Sequence, residues 1–232
     1  MIMDYTNILR MFTRKVMVDD GKIFCIGSSK TGTSSMGHSL GALGLNHLRG
    51  GWRVANRLVP LIVDEKWDEF YSKIDEYDSF DDIPFSHGNL YKLFSEKYEN
   101  SRFILTERPT DIWLRSIERQ LTNITEPQTP LEKCEHFHWT GLYWHILEQY
   151  GDIRFPEDAE HMMEVYEERN NSIKEFFESS DRLLVLDIAE ENNELNAKKL
   201  TKFVDTGITL KSLHHVNKYR DREQARKKDK NE

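Results

Sequence analysis

The sequence predicts an α/β protein, a central parallel sheet flanked by helices in three layers. Three observations carry this. Residues 22–26 (KIFCI), 102–107 (RFILTE) and 182–188 (RLLVLDI) are apolar with little alternation, as strands covered on both faces are. Stretches with helical spacing or helix-boundary residues separate these runs. No Asn-Gly turn joins any two of them, so helical crossovers rather than hairpins connect the strands.

Taken in order, residues 1–21 suit a short helix or extended arm, and 22–26 form the first strand. Residues 27–35 are a loop of small residues, and a helix over 33–43 closes near Gly44. Residues 53–77 read as mainly helical, with Trp67, Phe70, Tyr71 and Ile74 at helical spacing and facing the core. SFDDIP (79–84) is a short strand ending at Pro84, and 90–98 a helix. After the strand at 102–107 comes a helix over 110–121, with Asp111 favouring its first turn. Pro127 and Pro130 break the chain before a helix over 131–150. Pro156 opens a helix reaching about residue 178, as proline does at a first helical position. The strand at 182–188 and a helix over 194–204 complete one domain, residues 1–217. Residues 218–232 are expected to be a flexible, charged tail.

Composition narrows the function. The chain has 232 residues, 38% hydrophobic and 31% charged, which is ample for a core. Its formal net charge is −8, and the tail alone holds seven basic and four acidic residues, so the rest lies near −11. That balance excludes a general nucleic-acid binder. The two cysteines, Cys25 and Cys134, are too few for a disulfide framework or a cysteine zinc site. No apolar run reaches the roughly 20 residues of a membrane span, and the first 21 residues lack a signal-peptide core. The expectation is a cytoplasmic protein.

The loop GSSKTGTSS, residues 27–35, carries the chemistry. Gly27 and Gly32 have Walker A spacing, but Thr33 stands where that motif has lysine, and the lysine is Lys30. Backbone N–H groups of such a loop and of the helix after it cradle a phosphate. A lysine at this earlier position reaches a different atom of the bound group. No clear Walker B acid follows, Asp187 being a weak candidate, so an ATP- and Mg²⁺-dependent kinase is the less favoured reading.

The loop resembles that of sulfotransferases using 3′-phosphoadenosine 5′-phosphosulfate (PAPS), which carry a lysine followed by Ser/Thr-Gly-Thr, here Lys30-Thr31-Gly32-Thr33-Ser34. A second motif of that family is a strand ending in arginine, with a serine eight positions later on the next helix. FILTERPTDIWLRS supplies Arg108 and Ser116. A weaker third likeness, RLLVLDI followed by LHHVNK, is to the bacterial and invertebrate sulfotransferase-like branch. The resemblance spans about residues 22–218 and implies a P-loop-like sulfotransferase fold. It also implies PAPS as co-substrate, 3′-phosphoadenosine 5′-phosphate (PAP) as product, and no required metal. Ser29, Lys30, Thr31, Gly32, Thr33 and Ser34 would then hold the phosphosulfate, and Arg108 and Ser116 the 3′-phosphate. The acceptor would be a small molecule, glycan or lipid. A homodimer is compatible with this reading. The chain departs from the family in three places. Pro109 directly follows Arg108, Ser35 stands where the cytosolic branch has an adenine-stacking tryptophan, and the late Arg-Lys-Gly motif is missing. Trp52, Trp113, Lys218 and Arg220 are candidates to replace those contacts. The departures leave a non-catalytic PAP-binding protein as a further alternative.

Sulfuryl transfer needs a base for the acceptor proton and a cation for the leaving oxygen. By the resemblance, Lys30 is that cation. The cytosolic branch places a base histidine in His-Leu-Pro. Asp82-Ile83-Pro84 corresponds to it, making Asp82 the first candidate base, with Asp81 beside it and His87 next. His38 should pack within its helix. His136, His138 and His145, two and seven residues apart on one predicted helix, give no three-ligand face for a metal.

Overall fold

The structure is a computed structural model that describes residues 21–122, 129–188 and 192–214. The strands are β1 (Ile23–Cys25), β2 (His47–Arg49), β3 (Ser79–Asp81), β4 (Arg102–Glu107) and β5 (Leu183–Asp187). The helices are α1 (Thr33–Ala42), α2 (Trp52–Val63), α3 (Trp67–Ile74), α4 (Leu90–Lys97), α5 (Thr110–Thr122), α6 (Pro130–His136), α7 (Thr140–Tyr150), α8 (Ala159–Phe176) and α9 (Asn193–Val204). All five strands are parallel, in the order β2-β3-β1-β4-β5. The α/β expectation is met.

The two faces of the sheet explain the continuous apolar runs. Phe24 and Ile26 point to one side with Phe80, Phe103 and Leu105, against side chains of α2, α3, α4 and α8. Ile23 and Cys25 point to the other with Ile104 and Leu186, against Met36 and Leu40 of α1 and Ala197, Leu200 and Val204 of α9. A strand whose alternate residues both meet helices has no polar face to show. Phe24 lies at the centre, its ring 4.7 Å from Phe80, 4.5 Å from Phe94 and 5.6 Å from Phe103. A third cluster joins Trp113 and Ile117 of α5 to Leu131, Ile146, Met162 and Tyr166 of α6, α7 and α8. Cys25 and Cys134 are buried free thiols, and burial pushes both away from ionisation.

Several boundaries differ from the sequence expectation. β2 was missed because it is a three-residue edge strand whose side chains are all partly or fully exposed, so it leaves no apolar run. Residues 53–77 form two helices, separated where Glu65 turns to φ 55°. The helix expected over 131–150 is likewise two, broken around His138 at φ 54°. The first of them is fixed by a capping box between Thr129 and Glu132 with Pro130 at its start. Pro156 does not sit in the first turn of α8. It belongs to a turn before it, where Asp158 Oδ2 accepts from the Arg154 N–H at 2.6 Å and Ala159 N–H donates to the Pro156 carbonyl. The strand at 79–84 stops at Asp81, because Asp82 adopts φ 55°. The N-terminal arm up to residue 20, His215 to Lys218, Arg220 and the tail from 218 lie outside the described residues.

Candidate active site

Parallel strands bring their carboxyl ends to one edge, which is where such sheets bind ligands. Here β3, β1 and β4 are neighbours, so the segments after Asp81, Cys25 and Glu107 lie side by side. The loop at 27–32, Asp82 and Arg108 are therefore gathered at one edge, as the sequence implied.

The loop is held tightly from β4 and α5. A β-carbon on Gly27 would lie 2.0 Å from Thr106 Oγ1, so only glycine lets the chain pass β4 there. Thr31 Oγ1 donates to the Ser28 carbonyl at 2.7 Å and shares a 2.7 Å hydrogen bond with Thr106 Oγ1. Both threonines are fully buried. The φ angle is 74° at Lys30 and 85° at Gly32, while Thr31 between them stays out of the left-handed region. Alternation of this kind turns successive N–H groups toward one concave side and forms an anion-binding nest. The nest runs directly into α1, whose start has no side-chain cap, so its first-turn N–H groups extend the same surface. Lys30 and Ser34 are half-buried at this surface. Lys30 holds a left-handed φ that costs a non-glycine residue about 1–2 kcal/mol, and such strain concentrates where function requires it.

Asp82 belongs to the same constellation. Its Oδ1 accepts from Ser29 Oγ at 2.9 Å, which ties the β3 end to the residue before Lys30. The carboxylate also accepts from the Ile83 N–H. It does not cap the following helix, so the capping role open to an aspartate in a turn is not the one it has. Burial is the main force raising its pKa above the ordinary carboxylate range, and the neighbouring Asp81 raises it further. The bonds from Ser29 and Ile83 and the charge of Arg49 pull partly in the other direction. Asp81 is oriented elsewhere. It is fully buried, accepts from Gly50 N–H at 2.7 Å and lies 3.5 Å from His47 Nε2. Its bonds anchor the segment after β2, and Asp82 is the carboxylate at the loop.

His87 lies in a different environment. It is buried, its Nδ1 is 2.9 Å from His145 Nδ1, and its ring is 3.9 Å from Trp144. Burial, with the charge of Arg169 adding to it, lowers its pKa to about 3, so the imidazole is neutral. Arg169 Nη2 donates to the Ser86 carbonyl at 2.7 Å and helps hold this segment. His145 is buried on α7 while His136 and His138 are exposed at the end of α6, so the three histidines do not form one face. His38, expected to pack, is exposed, with Nδ1 2.8 Å from the Ser34 carbonyl one turn back.

Arg108 follows β4. Tyr166 pins its backbone twice, accepting from the Arg108 N–H at 3.0 Å and donating to its carbonyl at 3.1 Å. Arg108 borders a cleft of about 360 Å³ with Thr110, Tyr166, Asn170, Lys174 and Asp187. Ser116 is half-buried two turns along α5. It lies three residues from Trp113, on the same side of the helix.

Trp113 has a role that sequence reasoning missed. It is fully buried and stacked on Tyr166 at 4.2 Å, and its Nε1–H donates to the Ser29 carbonyl at 3.0 Å. The residue thus ties the Arg108 helix to the Lys30 loop, and its stacking partner is Tyr166. The signal available was an apolar aromatic with one donor, five residues after Arg108, since a buried indole N–H seeks an acceptor. Trp113→Phe keeps the stack and deletes that bond. It is expected to cost about 1–3 kcal/mol of stability, read as a Tm shift. An unchanged Tm would show that the loop is held well enough without it.

A parallel sheet with a nest and an uncapped helix after its central strand defines a P-loop-like α/β protein. Residues 22–221 match the family model described as a sulfotransferase domain, and the chain belongs to that family. No curated protein matches the chain. Among the described residues no helix is long and apolar enough to cross a membrane, and no three His, Cys, Asp or Glu side chains gather as a metal site.

Proposed function

We propose that the protein transfers the sulfuryl group of PAPS to a hydroxyl or amine of a small-molecule, glycan or lipid acceptor, by in-line displacement. The observation that carries this is the Ser29–Asp82 hydrogen bond, which sets a carboxylate of raised pKa against the loop that holds Lys30. A nest for the 5′-phosphosulfate and a base for the acceptor thus occupy adjoining strand ends.

In this reading residues 29–34 hold the phosphosulfate through backbone N–H groups and the Lys30 ammonium, and Arg108 and Ser116 hold the 3′-phosphate. The acceptor oxygen bonds to sulfur as the bond from sulfur to the bridging oxygen breaks. Asp82 takes the acceptor proton, and Lys30 stabilises the negative charge left on the bridging oxygen of PAP. Lys30 and a row of oriented N–H groups meet this charge in the proposed mechanism. Asp82 is favoured over His87 because it touches the loop, whereas His87 is bonded to His145. Aspartate in the Asp82-Ile83-Pro84 position also favours the bacterial and invertebrate branch, and the free buried cysteines suit a cytoplasmic setting.

Thermal shift tests the donor. At a hundredfold excess over Kd, PAP or PAPS should stabilise the protein by about 2.7 kcal/mol, equivalent to roughly 5–10 °C in Tm for a chain of this size. ATP with Mg²⁺ should give much less. An equal or larger shift with ATP and Mg²⁺ would favour a phosphoryl-transfer enzyme instead.

A further inference from the structure

We propose that Arg49 binds the terminal sulfuryl group of the donor, as a second cation of the transfer site alongside Lys30; this rests on the PAPS reading above. Arg49 ends β2, the edge strand that leaves no apolar signature in the sequence, and it pairs in register with Asp81. The chain after it is locked onto the β3 end. Gly50 N–H donates to Asp81 Oδ1 at 2.7 Å, and Gly51 N–H to the Ile83 carbonyl at 2.8 Å. A β-carbon on Gly50 would fall 2.0 Å from the Asp81 carbonyl oxygen, so the backbones approach as closely as they can. Arg49 is thereby fixed beside the segment that carries Asp82.

The guanidinium reaches the loop as well. Arg49 Nη2 donates to Ser34 Oγ at 3.1 Å, and Ser34 lies in the first turn of α1, on the surface that would hold the phosphosulfate. That neutral hydroxyl uses one of five donors. No carboxylate lies within ion-pair distance of Arg49 among the described residues. An exposed arginine whose charge is felt by Asp82 without closing an ion pair to it, tethered to the donor loop on one side and to the base segment on the other, borders the place where sulfur changes partners in this reading. Its planar fork suits two oxygens of a sulfuryl group. Arg49 would neither give nor take a proton. The electron pair of the breaking bond stays on the PAP oxygen, the acceptor proton goes to Asp82, and the sulfuryl oxygens keep their charge against the guanidinium throughout. An acidic group on the acceptor presents the same oxyanion chemistry, and the test separates the two sources.

PAPS and PAP differ only in the sulfuryl group, so their dissociation constants for wild type, Arg49→Ala and Arg49→Lys, measured by calorimetry, isolate the contact. Arg49→Ala should weaken PAPS about tenfold or more and PAP less than threefold, with Arg49→Lys between wild type and alanine for PAPS. Equal losses for both ligands would overturn the proposal in favour of a general role in loop structure. Unchanged affinity for both would overturn it in favour of an acceptor-side or solvent cation. Wild type that binds neither ligand would remove the donor assignment itself, and with it the role given to Arg49.

Discussion

Replacing Lys30 by alanine is expected to lower sulfuryl transfer by about 10²–10³-fold, the usual cost of deleting one preorganised charge at a developing anion. The assay is transfer of label from PAPS to a mixed acceptor library by the purified protein. PAP affinity should fall far less, because the nest and first turn of α1 are built from backbone N–H groups that the substitution leaves in place. A second variant separates catalysis from structure. Lys30 sits at φ 74°, so Lys30→Gly relieves a backbone strain of about 1–2 kcal/mol, offset in part by the freedom glycine adds to the unfolded chain, for a net gain of up to about 1 kcal/mol. That variant should gain up to about 2–4 °C in Tm while losing the same activity as alanine. Stability and activity moving in opposite directions is the mark of a residue held under strain for its chemistry. If Lys30→Ala transfers label at the wild-type rate, the lysine is a surface cation and the charge on the leaving oxygen is met elsewhere.

The parts of this architecture that were legible in the sequence share a physical cause. β1 and β4 declare themselves because both of their faces meet helices, so Ile23 to Ile26 and Phe103 to Leu105 carry no polar alternation, while β5 shows an apolar run although it is an edge strand with Val185 exposed. The loop declares itself because small residues and a lysine follow directly on such a strand. What stayed hidden depended on contacts remote in sequence. β2 is a short edge strand, and its three residues, His-Leu-Arg, give no apolar run to mark it. The breaks near Glu65 and His138 are single left-handed residues inside sequence of good helical periodicity. The Trp113–Ser29 bond joins residues 84 positions apart, and the Ser29–Asp82 bond residues 53 apart. The sequence ranks Asp82 first by its likeness to the family's His-Leu-Pro position, with Asp81 beside it and His87 next, but shows no geometry that separates them. Burial and orientation separate them, through Gly50 and His47 for Asp81, Ser29 for Asp82 and His145 for His87.

That separation makes the base testable. Asp82→Asn removes the only charge the side chain can take up and keeps its size, so transfer should drop by about 10²–10⁴-fold, the range of a lost general base. His87→Ala should instead lower stability through its buried contacts with His145 and Trp144, with activity reduced mainly as folded protein is lost. The pH profile gives an independent reading. A base works when deprotonated, so the rate should rise with pH through the pKa of Asp82 and fall away below it. Because burial and Asp81 raise that pKa, the rising limb should lie above the ordinary carboxylate range, of about 4. Ser29→Ala deletes a hydrogen bond that favours the charged form, so its limb should move to still higher pH. His87, whose pKa burial lowers to about 3, has no proton to release across neutrality and would give no limb there. Full activity in Asp82→Asn with loss in a folded His87→Ala would transfer the role to the histidine. It would also require His87 to leave His145 before it could reach an acceptor, a rearrangement visible as a change in the His87 imidazole resonances when PAP binds.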